Sequence, residues 1–291
     1  MKTMASYFYL SLQTLLFSFG GMCIKLTGSF LSPFMTSLFR FVIGSLILFC
    51  IQLARHKSVR PALGFYVILG GIFKAVHYMA ENYGVMAGYS YGTVLVLPAQ
   101  TITVLIVAAA LKQDRLTARK VFGTILSIVG VILVSWNGAS ASEFLSGQAQ
   151  LLLILSLGGV GAGVFNVIQK KLVSTMDPVA LNYSMFLVGA LVCLPFLPVG
   201  GPLLTGTPSA LPVFGMLELG TITAVGFLLQ ALAMKRVSAL IATIIQNSMS
   251  ILTILWSALL FHEPVTDWVV GGTLIFVIGT LIVNLQEGKK A

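Results

Sequence analysis

Charged side chains are scarce in this chain of 291 residues, where Asp, Glu, Lys and Arg together make up only 9%. Acidic residues are the rarer kind, with 8 Asp and Glu against 17 Lys and Arg. Soluble domains carry about 25% charged residues, whereas hydrophobic residues here reach 57% and the mean hydropathy is +1.00. This composition excludes a water-soluble fold and predicts an all-α integral membrane protein.

Cysteines and histidines are too few and too dispersed for a metal centre or a redox pair. Cys23, Cys50 and Cys193 lie inside apolar stretches without a CxxC or Cys/His pattern, which predicts packing residues. The three histidines fit no HExxH motif, and the chain has no GxxxxGK[ST] loop that could hold ATP. We therefore expect no enzyme activity, no catalytic residue, no metal and no cofactor.

The positive charges indicate a membrane surface rather than a nucleic acid as the partner. The formal net charge is +9, but the positive residues stand in short clusters between apolar runs. Such clusters are typical of topology signals and of contacts with lipid headgroups. We expect the lipid bilayer, and no nucleic acid, as the macromolecular environment.

Apolar segments of about 20 residues, the length that spans a bilayer, recur along the whole chain. The segments predicted as spans are residues 4–26, 32–54, 61–82, 88–111, 116–136, 148–169, 178–199, 210–233, 238–261 and 265–286. With the amino terminus in the cytoplasm, 14 of the 17 Lys and Arg fall in loops on the inner side. Since positive loops favour the cytoplasm, we predict a multi-pass protein of the cell (inner) membrane with both termini cytoplasmic.

The chain also contains an internal duplication. Residues 111–134 align without a gap with residues 260–283, and residues 18–34 align with residues 163–179. The paired positions include Lys25/Lys170, Gly123/Gly272 and Gly130/Gly279. In contrast, Lys112, Arg115, Arg119 and Lys120 fall opposite Phe261, Pro264, Trp268 and Val269. This loss of positive charge predicts that the equivalent segments lie on opposite faces of the membrane.

Five spans in each copy are an odd number, so the second copy must cross the bilayer upside down. The duplication thus predicts ten transmembrane helices formed by two inverted five-helix repeats, residues 1–145 and 146–291. Inverted repeats are characteristic of transporters.

Short motifs at matching places in the two halves support this interpretation. The second helix of each half opens with SPF (Ser32–Phe34) or DPV (Asp177–Val179), and the fourth ends with LKQD (Leu111–Asp114) or LFHE (Leu260–Glu263). In their order and spacing these motifs resemble the EamA-like family of the drug/metabolite transporter (DMT) superfamily, which usually has LGE at the last position. The resemblance covers nearly all of the chain. It implies a ten-helix bacterial inner-membrane carrier, often an exporter of amino acids or other small metabolites, with a central cavity between the halves.

Polar residues inside the predicted spans are the candidates for a substrate site, because a charge in hydrocarbon is costly unless it faces a cavity or a partner. One face of the third helix carries Lys74, His77, Tyr78 and Glu81 at helical spacing. Arg40 on the second helix and Glu218 on the eighth complete the charged set. The helical rise predicts that these charges form a polar vestibule in the outer half of the bilayer. Their aligned positions in the other copy, such as Met185 for Arg40 and Thr223 for Lys74, are mostly neutral.

Three interpretations of this charged set stay open. The charges could bind a zwitterion, with Arg40 or Lys74 on its carboxylate and Glu81 or Glu218 on its ammonium group. They could instead pair with one another and only brace the bundle, and Glu81 could simply reach the membrane interface. His77 and Glu81 could also carry a proton. The amide side chains predicted either to line the cavity or to join helices are Gln100, Asn166, Gln246 and Asn247.

These observations predict a secondary-active transporter, working as an exporter, that moves an amino acid or a similar zwitterion by alternating access. A uniporter, an exchanger or an importer of another small solute, such as a drug, nucleobase or sugar derivative, remains the alternative. A receptor or an intramembrane enzyme is a more remote one, since the predicted loops are short and no catalytic motif is present. The sequence carries no information on the oligomeric state.

Overall fold

Helices form almost all of the ordered secondary structure in the computed structural model, which describes residues 2–112, 117–138, 140, 142 and 149–284. Within these ranges there is no β-strand, and a single antiparallel bridge joins Leu31 to Leu204. Residues 113–116, which include the end of the LKQD motif, and the last residues of the chain lie outside the described ranges.

The first copy folds into helices that begin and end close to the predicted segments. They are α1 (Lys2–Ser18, continued by Gly20–Thr27), α2 (Pro33–Ala54), α3 (Phe65–Ala87), α4 (a 3-10 turn Ser90–Leu95, then Val96–Ala110) and α5 (Ala118–Trp136). Side-chain caps explain two of the starts: Ser32 accepts a hydrogen bond from the Met35 amide before α2, and Thr117 accepts one from the Lys120 amide before α5.

The second copy contains more interrupted helices than the first. They are α6 (Ala149–Leu172), α7 (Pro178–Cys193, then a 3-10 turn Leu194–Gly200), α8 (Ala210–Thr221, a π-helical turn Ile222–Gly226, then Phe227–Met234), α9 (Ala239–Asn247 and Met249–Phe261) and α10 (Asp267–Asn284). Asp177 caps α7 by accepting hydrogen bonds from the amides of Val179 and Ala180. The interruptions in α8 and α9 were not predicted from hydropathy, which is insensitive to such local changes.

Seven helices are long and apolar enough to cross a membrane by length and composition. The helices α3, with its buried charges, α5 and α10 are not among these seven. The all-helical membrane architecture is therefore confirmed, whereas the count of ten spans stays a prediction. The largest boundary error concerns α3, predicted as residues 61–82 but found at Phe65–Ala87.

The aligned segments α5 and α10 pack against each other in opposite directions. Thr266, just before α10, donates a hydrogen bond to Asn137, just after α5, at 2.5 Å. A Cβ atom on Gly272 would lie 2.5 Å from the Gly130 carbonyl oxygen, and one on Gly279 would lie 2.6 Å from the Gly123 carbonyl oxygen. The glycines that match in the sequence alignment thus contact each other crosswise. Only residues without a side chain permit this approach of two backbones.

Helices of the two copies pack against each other throughout the bundle. In the first copy α3 packs on α6 and α7, and in the second copy α8 packs correspondingly on α1 and α2. The helices α2 and α7 also contact each other directly. The interface between the copies is therefore built by helices of both.

Two equivalent lysines cap equivalent helices at opposite ends of the bundle. Lys25 on α1 donates to carbonyl oxygens of Val85, Met86 and Gly88 at the end of α3. Lys170 on α6 donates to the carbonyl oxygen of Met234, the last residue of α8, at 2.6 Å. The carboxyl end of a helix has free carbonyl groups and favours a cation. We call the two ends of the bundle the Glu263 end, where Lys25 lies, and the Lys170 end.

An exposed ion pair joins the copies at the Lys170 end. Both terminal nitrogens of Arg55, after α2, donate to the carboxylate of Asp177, before α7, at 3.1 and 2.9 Å. Partial burial raises the pKa of Asp177, but hydrogen bonds from Arg55 and from the amides of Val179 and Ala180 outweigh it, so this pKa lies below 3.8. The pair therefore stays charged at neutral pH. At the Glu263 end the same two helices are joined through the bridge between Leu31 and Leu204.

We predict that Gly272→Ala destabilises the protein, because its new methyl group must displace the backbone of α5. Overpacking of this kind costs about 1–3 kcal/mol. Gly271→Ala is the matched control, since a Cβ atom there meets nothing within 4 Å. Thermal unfolding in detergent is the measurement. Equal melting temperatures for the two variants would contradict the close contact of α5 and α10.

Candidate functional site

A buried ion pair lies between α2 and α3. Arg40 Nη1 donates to Glu81 Oε2 at 3.0 Å and to Asn82 Oδ1 at 2.8 Å, and Asn82 in turn donates to Ser37 at 2.8 Å. The side chains of Arg40 and Glu81 are only 5% and 10% exposed. Arg40 Nε has no hydrogen-bond partner in the part of the chain that the structure describes. The guanidinium group therefore keeps a donor for a further ligand.

Lys74 is fully buried on the same face of α3, among aromatic rings. Its Nζ lies 3.5 Å from the ring centre of Phe227 and 4.2 Å from that of Tyr78. Its polar contact is His77 Nδ1 at 2.9 Å. No carboxylate of the described residues forms a salt bridge with Lys74. In its charged form the ammonium group gains cation–π attraction from these rings.

Tyr78 connects this face of α3 to α8. Its hydroxyl lies 2.8 Å from the hydroxyl of Thr223, the residue that aligns with Lys74, and its ring lies 3.5 Å below the Arg40 guanidinium carbon. Thr223 belongs to the π-helical turn of α8. Such turns are rare and occur frequently at functional sites.

A small central cavity adjoins these residues and is lined by both copies. Its volume is about 30 Å³, room for about two water molecules. Its polar and charged lining residues are Arg40, His77, Glu81, Thr93, Gln100 and Gln246, and its larger apolar ones are Phe17, Tyr78, Leu97, Phe227 and Met249. Lys74 is not part of the lining but contacts His77 and Tyr78, which are.

The predicted open vestibule is wrong for this conformation. Arg40, Lys74, His77 and Glu81 are each at most 7% exposed, and the cavity that Arg40, His77 and Glu81 line is small. The physical reason is that oppositely charged side chains in an apolar bundle attract each other strongly and exclude water. Sequence analysis brought the correct side chains to one face but could not show that they meet across helices.

Glu218 is the one charged candidate that the structure places apart from this cluster. It lies half-buried on the face of α8 that packs on α1, close enough to Cys23 to act on its thiol electrostatically. Among the described residues it forms no salt bridge, and it does not line the central cavity.

The predicted amide residues divide into two places. Gln100 donates weakly to Gln246 at 3.4 Å across the cavity, and next to it Asn247 donates to Thr101 at 3.1 Å, which joins α4 to α9. Asn166 lies elsewhere, in an uncharged cluster around Gln230. Gln230 donates to Asn166 and Gln169 and accepts from Gln13 at 2.6 Å.

The amide cluster is the second copy's counterpart of the charged cluster, since Gln230 aligns with Glu81. Sequence analysis missed Gln13, Gln169, Asn182 and Gln230 as site residues, although amides in apolar helices were the available signal. It also missed the aromatic rings of Phe165 and Phe227 around Lys74. Nothing in the sequence distinguishes these rings from ordinary core residues.

Sequence comparison assigns the chain to a known family. The sequence pattern of the EamA-like transporter family matches residues 4–136 and again residues 150–285, which is once in each copy. The chain belongs to the EamA-like transporter family. This family is part of the drug/metabolite transporter superfamily, so the resemblance found from the motifs is confirmed.

Relatives and one solved structure match this EamA-like chain over almost their full length. A protein of Archaeoglobus fulgidus named "uncharacterized transporter" is 25% identical over 96% of this chain and 99% of its own. A protein of the same name from Clostridium kluyveri is 23% identical over 90% of this chain and 86% of its own. A crystal structure with 17% identity superposes with a TM-score of 0.74 over 96% of this chain and 98% of that one, which shows the shared fold.

We predict that Glu81→Gln destabilises this EamA-like protein by about 3–5 kcal/mol, because it leaves the buried Arg40 without its counter-charge. The matched control is Arg55→Gln, which breaks an ion pair whose side chains are 43% and 37% exposed and should cost about 1 kcal/mol or less. Thermal unfolding in detergent at neutral pH compares the two. A larger loss for Arg55→Gln would contradict the assignment of Arg40 and Glu81 as the stabilising pair.

Proposed function

We propose that the protein is a secondary-active exporter of an amino acid or similar zwitterion, working by alternating access between two inverted five-helix repeats. The observation that carries this proposal is the small central cavity, which is lined by both charges of the Arg40–Glu81 pair and by both copies. A zwitterion can enter such a pair and replace each internal partner with its own opposite charge. The antiparallel contact of the aligned helices α5 and α10 supports the inversion.

Within this proposal, Arg40 binds the substrate carboxylate and Glu81 binds the ammonium group. Arg40 lines the cavity and has an unused donor at Nε. Lys74 stands behind His77 and Tyr78, and no carboxylate of the described residues forms a salt bridge with it. Glu218 is left out of the binding set, since it does not line the cavity. Gln100, Gln246 and Thr93 supply neutral hydrogen bonds across from the charges.

Protons are the coupling ion that this site supports best. Lys74 Nζ lies 2.9 Å from His77 Nδ1, and His77 Nε2 lies 3.7 Å from Glu81 Oε2, so three titratable side chains are neighbours on one face of α3. A substrate that takes the place of Arg40 or Glu81 in the pair changes the field on His77, so substrate and proton occupancy are linked. A uniporter or an importer of another small solute remains the second candidate, since the cavity itself does not set a direction.

We also propose the orientation. The Lys170 end faces the cytoplasm, with its clusters Lys170 and Lys171, and Lys235 and Arg236, and the Glu263 end faces the outside of the cell membrane. At the Glu263 end, hydrogen bonds tie the start of α4 to Glu263. Both carboxylate oxygens of Glu263 accept from the Ser90 amide at 2.8 and 2.9 Å, and the Ser90 hydroxyl donates to the same carboxylate and approaches Ser257 at 2.6 Å. Export requires these contacts to open.

We predict that Arg40→Ala abolishes, and Lys74→Gln strongly reduces, counterflow of labelled amino acids in liposomes reconstituted with purified protein. Loss of a buried, hydrogen-bonded charge costs about 2–5 kcal/mol, or roughly 30-fold or more in affinity. Glu218→Gln is the control, because it removes a charge that, unlike Glu81, does not line the cavity, and it should transport normally. The proposal would be contradicted if liposomes with wild-type protein exchange none of a broad panel of amino acids. The proton coupling would be contradicted if an imposed pH gradient leaves the flux unchanged.

We predict that Glu263→Gln opens the Glu263 end, because a neutral amide cannot accept all the hydrogen bonds from Ser90. The probe is Thr93→Cys in the cavity, on a background with Cys23, Cys50 and Cys193 replaced by Ala. In the Glu263→Gln variant this probe should react with a membrane-impermeant maleimide several-fold faster than in the protein that keeps Glu263. Asp267→Asn, an exposed acid at the same end, is the matched control. Equal labelling rates in the two variants would show that Glu263 does not hold this end closed.

A further inference from the structure

A second cavity, of about 350 Å³, lies at the Lys170 end, between the end of α6, the end of α8 and the start of α9. Three of the residues that line it are lysines, namely Lys170, Lys171 and Lys235, and two are serines, Ser174 and Ser238. None of its described lining residues is acidic. Its volume is more than ten times that of the central cavity, and the two cavities share no lining residue among the described ones.

The lysines of this cavity keep donors for an anion. Lys170 is half-buried and uses one hydrogen bond for the Met234 carbonyl, whereas an ammonium group has three donors. Lys171 and Lys235 are exposed, and Lys171 lies over the ring of Tyr66 at 3.6 Å. The nearby carboxylate of Asp177 already accepts from both terminal nitrogens of Arg55. The described residues therefore provide no carboxylate that neutralises these three lysines.

The walls of the cavity indicate what kind of anion fits. Ala108, Val173 and Leu240 give it an apolar side, and it adjoins the start of α9, a helix end that favours a negative group. Positive residues that serve only as topology signals need no cavity: Lys57 and Arg60 are exposed at the same end and line neither this cavity nor the central one. Basic pockets between transmembrane helices on the cytoplasmic side are suited to phosphate headgroups.

We infer that this cavity binds a phosphate group, carried either by an anionic phospholipid or by a soluble phosphate compound. The lysines hold the phosphate oxygens, and the apolar wall accommodates the glycerol and upper acyl chain when the ligand is a lipid. Residues of α4, α6, α8 and α9 line the cavity, so an occupied site holds these four helices together at the Lys170 end. This inference does not depend on what the central cavity transports.

The test is native mass spectrometry of the full-length protein in detergent, titrated with phosphatidylglycerol. We compare the wild type with Lys171→Gln/Lys235→Gln, which spares the helix-capping Lys170, and with Lys57→Gln/Arg60→Gln, which removes two exposed positive charges outside the cavity. Each lysine at an anionic headgroup contributes about five-fold in affinity, so the cavity variant should bind roughly 30-fold more weakly. The control variant should bind like the wild type.

A competition with inorganic phosphate separates the two sources of the ligand. Phosphatidylglycerol that stays bound in excess phosphate identifies a lipid site. Displacement by phosphate identifies a soluble ligand, if phosphate also raises the melting temperature of the wild type and of the control variant but not that of the cavity variant. Equal binding by all three proteins, or equal losses in the two double variants, would overturn the inference and leave only general surface attraction. Neither result bears on amino acid counterflow, so the failure of this inference and of the proposed function are distinguishable.

Discussion

Polar groups inside an apolar bundle meet little water, so most of them must find a partner within the chain. This constraint governs the centre of the protein, where Arg40 binds Glu81 and Asn82, and Lys74 has His77 and a set of aromatic rings. It also governs the helix ends, where Lys25 and Lys170 satisfy free carbonyl groups. The buried ion pair and the helix-capping lysines are two ways of meeting it.

Duplication supplied the same positions twice, and the two copies use them differently. At the level of Lys74, His77 and Glu81, the first copy has charges, and the aligned residues Thr223, Gly226 and Gln230 have none. The second copy meets the constraint there with a cluster of amides, in which Gln230 joins α1, α6 and α8. An amide network holds helices together without a net charge, whereas the charged cluster keeps a guanidinium donor at Nε without a partner among the described residues. This asymmetry makes the first copy the natural place for ligand chemistry.

The two ends of the bundle show the same principle with different consequences. Lys25 and Lys170 occupy equivalent positions, and each donates to carbonyl oxygens at the carboxyl end of a helix, α3 or α8. Beside Lys25, Glu263 supplies a carboxylate that ties the start of α4 to the loop before α10. Beside Lys170, further lysines line a cavity. The first end thus has a carboxylate that the chain's own groups satisfy, whereas the second gathers positive charge around a cavity.

The sequence by itself determined the class of protein, the duplication, most helix positions and the polar face of α3. These features depend on composition and on spacing along one helix, which any reader of the chain can measure. Only the tertiary structure decided that Arg40 meets Glu81, that Glu218 stays apart, that Gly130 meets Gly272, and that the cavity is small and its charged residues are buried. The physical reason is that contacts between helices depend on their rotation and relative height. Lipid contacts all apolar helix faces about equally well, so hydropathy does not determine the rotation or the height of a helix in a membrane. Close packing and hydrogen bonds between side chains far apart in the sequence determine both.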